Sequence, residues 1–140
     1  MIDEAQTNVW ILTYHMVKNE VPNETLRRLI SAANRGVSVV LYIDWINYWP
    51  DPILIQKLID AGGTVRALNP MDPISRLKGG QEILTKEVFE RYHQKVFLID
   101  SNVIIGSANL DNAYAGERLG TSQFYDFNVI LKGYCVSDVR

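Results

Sequence analysis

The chain has 140 residues, 47% hydrophobic and 21% charged, which suits one ordinary globular domain with a real core and excludes a disordered chain. Its 14 basic and 16 acidic residues leave a formal charge of −2, and Arg27-Arg28 is the only adjacent basic pair, which argues against a dedicated nucleic-acid binder. The single cysteine, Cys135, excludes an internal disulfide and a multi-cysteine metal cage, and no apolar run approaches the roughly 18–20 residues of a membrane span.

The opening Met1-Ile2-Asp3-Glu4 is acidic and lacks the layout of a signal peptide, so any membrane anchor of the working protein is expected outside this chain. Asn8 to Met16, rich in β-branched and aromatic residues, predicts a buried strand. Pro22-Asn23-Glu24-Thr25 then opens a helix, with Leu26, Leu29, Ile30 and Ala33 at helical spacing and Gly36 where a C-terminal cap belongs. Val37 to Asp44 predicts a second buried strand, and a strand, a helix and a strand in this order predict a βαβ unit with parallel strands. Ile53, Ile55, Leu58 and Ile59 predict a second helix that Gly62-Gly63 stops, before a short third strand over Thr64 to Leu68. Asn69 to Glu90 is the least regular part and is long for a connection, a feature of functional or mobile loops. Lys95–Ile99 and Val103–Ile105, separated by Asp100-Ser101-Asn102, predict a hairpin. A polar, Gly-punctuated loop over Asn109 to Ser122 and a last strand over Phe127 to Leu131 follow. Val136-Ser137-Asp138 reads as a helix being started, which is too short to stand alone, so residues 1–140 are expected to be one domain of a longer chain.

The chemistry concentrates in His93-Gln94-Lys95, four apolar residues, Asp100, five residues, and Gly106-Ser107-Ala108-Asn109. Residues of like parity share a strand face, so His93 and Lys95 point the same way, and the returning strand is expected to bring Ser107 and Asn109 beside them. An imidazole, an ammonium, a hydroxyl and a carboxamide would then meet, with Gly106 allowing close backbone approach. Such a set suits phosphoryl transfer. The imidazole can attack phosphorus and split one displacement into two, while the other groups hold the nonbridging oxygens where charge develops. No cluster of metal ligands occurs, and no cofactor is implied.

These residues resemble the HKD motif of the phospholipase D superfamily, H-x-K-x4-D followed by G-S/G-x-N. The resemblance extends to Tyr14, to Ala32-Ala33-Asn34-Arg35-Gly36-Val37-Ser38-Val39, to Asp44 and to Tyr125-Asp126-Phe127-Asn128-Val129. With Gly106 to Leu110 and Asn112-Ala113-Tyr114, it is nearest to the N-terminal half of cardiolipin-synthase-like members. It implies an α/β domain, a mixed sheet flanked by helices, forming one half of a two-motif assembly. It also implies a phosphohistidine on His93, phosphate binding by Lys95 and Asn109, and a downstream acid orienting the ring. By position that acid is Asp126, with Glu117 as the second candidate. The family's site needs two motifs, and this chain has one; His15 is followed by Met16-Val17 and cannot supply another. The missing half is expected in the same longer chain or in a second copy.

Asp100 is read as a turn or ion-pair residue and Gly106 as a structural member of the motif, while His15 is read as a core or rim residue. Tyr14, Asp44 and Tyr114 are read as core or as lining of a lipid or substrate cleft, and Trp45 and Trp49, which follow the second strand, as candidates for substrate or membrane contact. The activity expected of the intact protein is phosphatidyl transfer or phospholipid phosphodiester cleavage, with a phospholipid substrate, a membrane surface as partner and nucleic acid disfavoured. The rival readings are a homodimeric endonuclease of the same superfamily and a silent half that serves for pairing or membrane docking.

Overall fold

The computed structural model describes residues 1–69, 91–116, 124, 126–133 and 136. The expectations that fall on 70–90, on Glu117 and the rest of 117–122, on Tyr125, on Cys135 and on Ser137-Asp138 lie outside them. Strand β1 (Asn8–Thr13) leads through a short strand β2 (Met16–Val17) into helix α1 (Glu20–Asn34) and strand β3 (Ser38–Asp44). A two-residue strand β4 (Tyr48–Trp49), helix α2 (Pro52–Asp60) and strand β5 (Thr64–Leu68) follow. The hairpin of β6 (Val96–Ile99) and β7 (Asn102–Gly106) and the strand β8 (Asn128–Lys132) complete the described elements.

The six long strands form one sheet in the order β5-β3-β1-β6-β7-β8, and β2 and β4 form a two-stranded parallel pair beside it. β1, β3 and β5 run parallel, as βαβ connections require, while β6, β7 and β8 join antiparallel, so the sheet is mixed. Alternation decides what each face meets. Val9, Ile11, Val39, Leu41 and Ile43 pack against Leu26, Leu29, Ala32 and Ala33 of α1 and against Ile55 and Leu58 of α2. Both helices therefore cover the same face. Leu98 and Val103 on the opposite face pack with Val136 in a smaller cluster, and Trp10 there is 39% exposed.

Local chemistry sets the element ends. Helix α1 begins two residues before Pro22, which occupies the first turn, where its missing N–H costs no intrahelical bond. Its end is closed by Gly36 at φ +89°, with Gly36 N–H donating to Ala33 O and Val37 N–H to Ala32 O. Asp51 caps α2 by accepting from Ile53 N and Leu54 N, with Pro52 as the first helical residue. The Lys18 ammonium, 3.1 Å away, holds the Asp51 carboxyl below the usual carboxylate range.

The turn between β6 and β7 is tied to the far end of the chain. Asp100, at φ +51°, accepts from Gln6 N (3.0 Å), Thr7 N (2.9 Å), Asn8 N (3.0 Å) and the Thr7 hydroxyl (2.8 Å). It thus fixes the start of β1 against the hairpin. Burial opposes its ionisation, but hydrogen bonds from Asn8, Gln6 and Thr7 outweigh that and hold its carboxyl at about 2. A depressed folded-state value contributes stability that is present above the unfolded carboxylate value of about 3.9 and is lost as pH falls toward 2. Asp100→Asn tolerates the same positive φ and removes the charge. It should cost on the order of 1–2 kcal/mol at neutral pH, after allowance for solvent screening, and the gap to wild type should close between pH 4 and about 2. Urea midpoints across that range check it.

Candidate active site

The hairpin enters the sheet beside the C-terminal end of β1, where Val96 lies opposite Leu12. Residues 93–95 therefore run alongside Thr13 and Tyr14, at the edge where parallel strands present their ligand-side loops. The Tyr14 and His93 rings lie 4.6 Å apart, tilted at 59°. Lys95 is 3% exposed, and its Nζ sits 3.0 Å from His93 Nε2 and 3.2 Å from Nδ1 and donates to His93 O at 3.0 Å. It also lies 5.3 Å from the Tyr14 ring centroid, a cation–π contact. The imidazole is exposed while the cation beneath it is buried. An exposed imidazole over a buried cation is an arrangement that suits phosphate chemistry.

Burial pulls the Lys95 ammonium below the usual lysine range, and the Asp126 carboxylate opposes that shift. Asp126 is exposed, and among the described residues it makes no hydrogen bond to the His93 ring; its effect is on Lys95, through charge. Among the described residues, Tyr14 and Lys95 flank the ring.

The register of the hairpin differs from the expected face-sharing. Val96 pairs with Ile105 and Gly106 N–H donates to Lys95 O at 3.3 Å, so Gly106 lies opposite Lys95. By the same register Ser107 falls opposite Gln94, one place out of step with His93 and Lys95. Regular alternation thus does not bring Ser107 and Asn109 to the imidazole, and no hydrogen bond among the described residues joins them to His93 or Lys95. Both lie beyond the end of β7, where the chain leaves the ladder.

Beyond that end other contacts fix them. Ser107 N–H donates to Phe127 O (3.2 Å), and Ser107 Oγ accepts from Phe127 N–H (3.3 Å). Gly106 has no room for a side chain: a Cβ would come within 1.7 Å of Asn128 Oδ1 and 2.7 Å of Phe127 O, the latter being backbone. Asn109 Nδ2 donates to the Tyr114 hydroxyl at 2.9 Å, and its Oδ1 is buried without a hydrogen-bond partner among the described residues. Half a turn of the amide keeps the tyrosine bond, with the hydroxyl now donating to Oδ1, and presents the NH2 in place of that unpartnered carbonyl. The Asn109 amide is thus anchored through one end only, among the described residues. The ring of Tyr114 in turn stacks on Phe124 at 5.1 Å.

Asp44, expected in the core or lining a cleft, has partners that the sequence did not indicate. This carboxylate is 0% exposed at the end of β3, where Oδ2 accepts from Tyr92 N at 3.2 Å and Oδ1 from Ile46 N at 3.1 Å. The guanidinium of Arg91 lies 3.5 Å from Oδ1 and donates to Asn69 O at 3.4 Å. Asp44 therefore holds the two residues that precede His93. The sequence signal was a charge closing an otherwise apolar strand. Among the described residues no group of three or more His, Cys, Asp or Glu could hold a metal ion.

Residues 1–133 match the family described as cardiolipin synthase, PLD-like domain. Cardiolipin synthase B of Escherichia coli K12 is 30% identical over 144 aligned positions, covering 99% of this chain and 32% of that protein. The minor cardiolipin synthase of Bacillus subtilis is 25% identical, with 99% and 33% covered. The chain thus spans about a third of the length of these relatives. Among solved structures, the phospholipase D family member Nuc of Salmonella typhimurium superposes with a TM-score of 0.63 at 19% identity, covering 99% of this chain and 76% of that one. NucT of Helicobacter pylori gives 0.57 at 20% identity, with 92% and 70% covered. At these identities the structural likeness speaks for the fold.

Proposed function

The chain belongs to the cardiolipin synthase, PLD-like domain family, and from that premise we propose that it supplies one half of a site that transfers a phosphatidyl group through a phosphohistidine on His93. The observation that carries this reading is the buried Lys95 ammonium 3.0 Å from the exposed imidazole. A ring nitrogen of His93 attacks the lipid phosphorus, a P–N bond forms, and the P–O bond to the departing alcohol breaks. The second motif's histidine protonates that alcohol. Water or an acceptor alcohol then loses a proton to the same histidine, attacks phosphorus and frees His93. Lys95, the Asn109 amide and the Ser107 hydroxyl stabilise the charge on the nonbridging oxygens, and the Asp126 carboxylate favours the charged form of Lys95 against its burial.

The partner half is the remainder of a longer chain or a second copy, and the 140-residue chain alone is expected to be silent. Phospholipid is favoured over nucleic acid by the cardiolipin synthase relatives and by the formal charge of −2. The full-length protein should convert labelled phosphatidylglycerol in vesicles, releasing or transferring the phosphatidyl group. Cleavage of single-stranded DNA with the lipid left intact would replace this reading by the endonuclease one.

A further inference from the structure

Three successive residues past the end of β1 serve different parts of the site. Tyr14 packs on His93, His15 reaches Asp111, and Met16 bridges to Leu110. Leu110 and Asp111 directly follow Asn109, so the segment after β1 holds the segment that carries the candidate phosphate ligand. The contacts are specific. His15 Nε2 lies 3.1 Å from Asp111 Oδ2, with both side chains partly buried. Asn19 Nδ2 donates to Asp111 Oδ1 at 2.9 Å, and Ala113 N–H donates to the same oxygen at 3.0 Å. Val21 N–H, in the first turn of α1, donates to the Asn112 side chain at 2.9 Å. The backbone of His15 is itself held, its carbonyl accepting from the Thr13 hydroxyl at 3.2 Å.

Asp111 begins the short helical turn Asn112–Tyr114, and the Tyr114 hydroxyl is the partner of the Asn109 amide. Burial opposes ionisation of Asp111, yet the Ala113 N–H, the Asn19 carboxamide and the His15 ring hold its carboxyl below the usual range. A chain of bonds therefore runs from His15 through Asp111 and the turn to Tyr114 and Asn109. Nothing in this chain of bonds touches the reacting phosphorus. One end of it is the Asn109 amide.

We propose that His15 is a positioning residue, which through Asp111 clamps the Asn109–Tyr114 loop so that the Asn109 amide is aimed at the phosphate. This rests on the reading of Asn109 as a phosphate ligand. Inorganic phosphate, as a competitive inhibitor of the full-length enzyme, reads ground-state phosphate binding separately from turnover. His15→Ala should raise its inhibition constant roughly tenfold, the scale of a lost hydrogen bond to a charged group. His15→Gln, whose carboxamide can donate to Asp111, should restore most of the loss. Asp111→Asn should give a similar shift, and adding His15→Ala to it should change little more, because the two act as one unit.

The outcomes separate the two ideas. If Asn109→Ala weakens phosphate binding while His15→Ala only lowers the melting temperature, the positioning role is overturned and the phosphate reading stands. If neither variant weakens binding, both fall.

Discussion

His93→Ala in the full-length enzyme is expected to lower turnover by on the order of 10^4-fold or more, the range seen when a covalent nucleophile is removed. The fold should be nearly unaffected. His93 is exposed, and its described contacts are the Tyr14 ring and the Lys95 head group, so truncation creates no buried cavity. A rapid quench with labelled lipid should trap phosphorus on His93 in the wild type and none on the variant. Label on another residue, or turnover within tenfold of wild type, would remove His93 from the role of nucleophile. Lys95→Met offers the complementary check, since it keeps a stem of similar length beneath the ring and deletes the charge.

The second large effect concerns stability. Asp44→Ala is expected to cost about 3–5 kcal/mol, because it strips a buried acceptor from three donors at once. Arg91 beside it is 9% exposed and loses its carboxylate, while the Tyr92 and Ile46 N–H groups lose theirs. Asp44→Asn should cost less, since its carbonyl can still accept from one N–H. Denaturant midpoints report the cost directly. Tyr92 adjoins His93, so turnover should fall further than the remaining folded fraction explains. A loss of stability below 1 kcal/mol would show that Asp44 does not hold this segment.

The candidate site has unequal supports. His93 and Lys95 lean on Tyr14, just past the end of β1, and on the Asp44–Arg91 pair at the end of β3. Ser107 leans on Phe127, just before β8, and Asn109 leans on Tyr114 within its own loop. Four parts of the chain, distant in sequence, therefore have to assemble before the phosphate groups are in place. That dependence explains why a matched motif can be read from spacing while its working geometry cannot.

Much of this was legible in the residues. Apolar runs with β-branched side chains marked β1, β3 and β5, helical spacing marked α1 and α2, and the polar Asp100-Ser101-Asn102 marked the hairpin. Motif spacing brought out His93 and Lys95, because two residues of one extended segment, two apart, share a face whatever surrounds them. Asp100 was legible as a turn residue, but not as the carboxylate that gathers the N–H groups of residues 6 to 8.

What sequence alone determined is thus local: strand and helix periods, the caps, the turn, and the motif residues proposed to react. Only the tertiary structure decided that β1 lies between β3 and β6, that Gly106 rather than Ser107 faces Lys95, and that His15 meets Asp111 and Asp44 meets Arg91. The physical reason is that periodicity arises from backbone geometry over a few residues. Register and strand order arise instead from which distant surfaces bury each other best, and a one-residue stagger leaves every local pattern intact while moving each side chain to the other face.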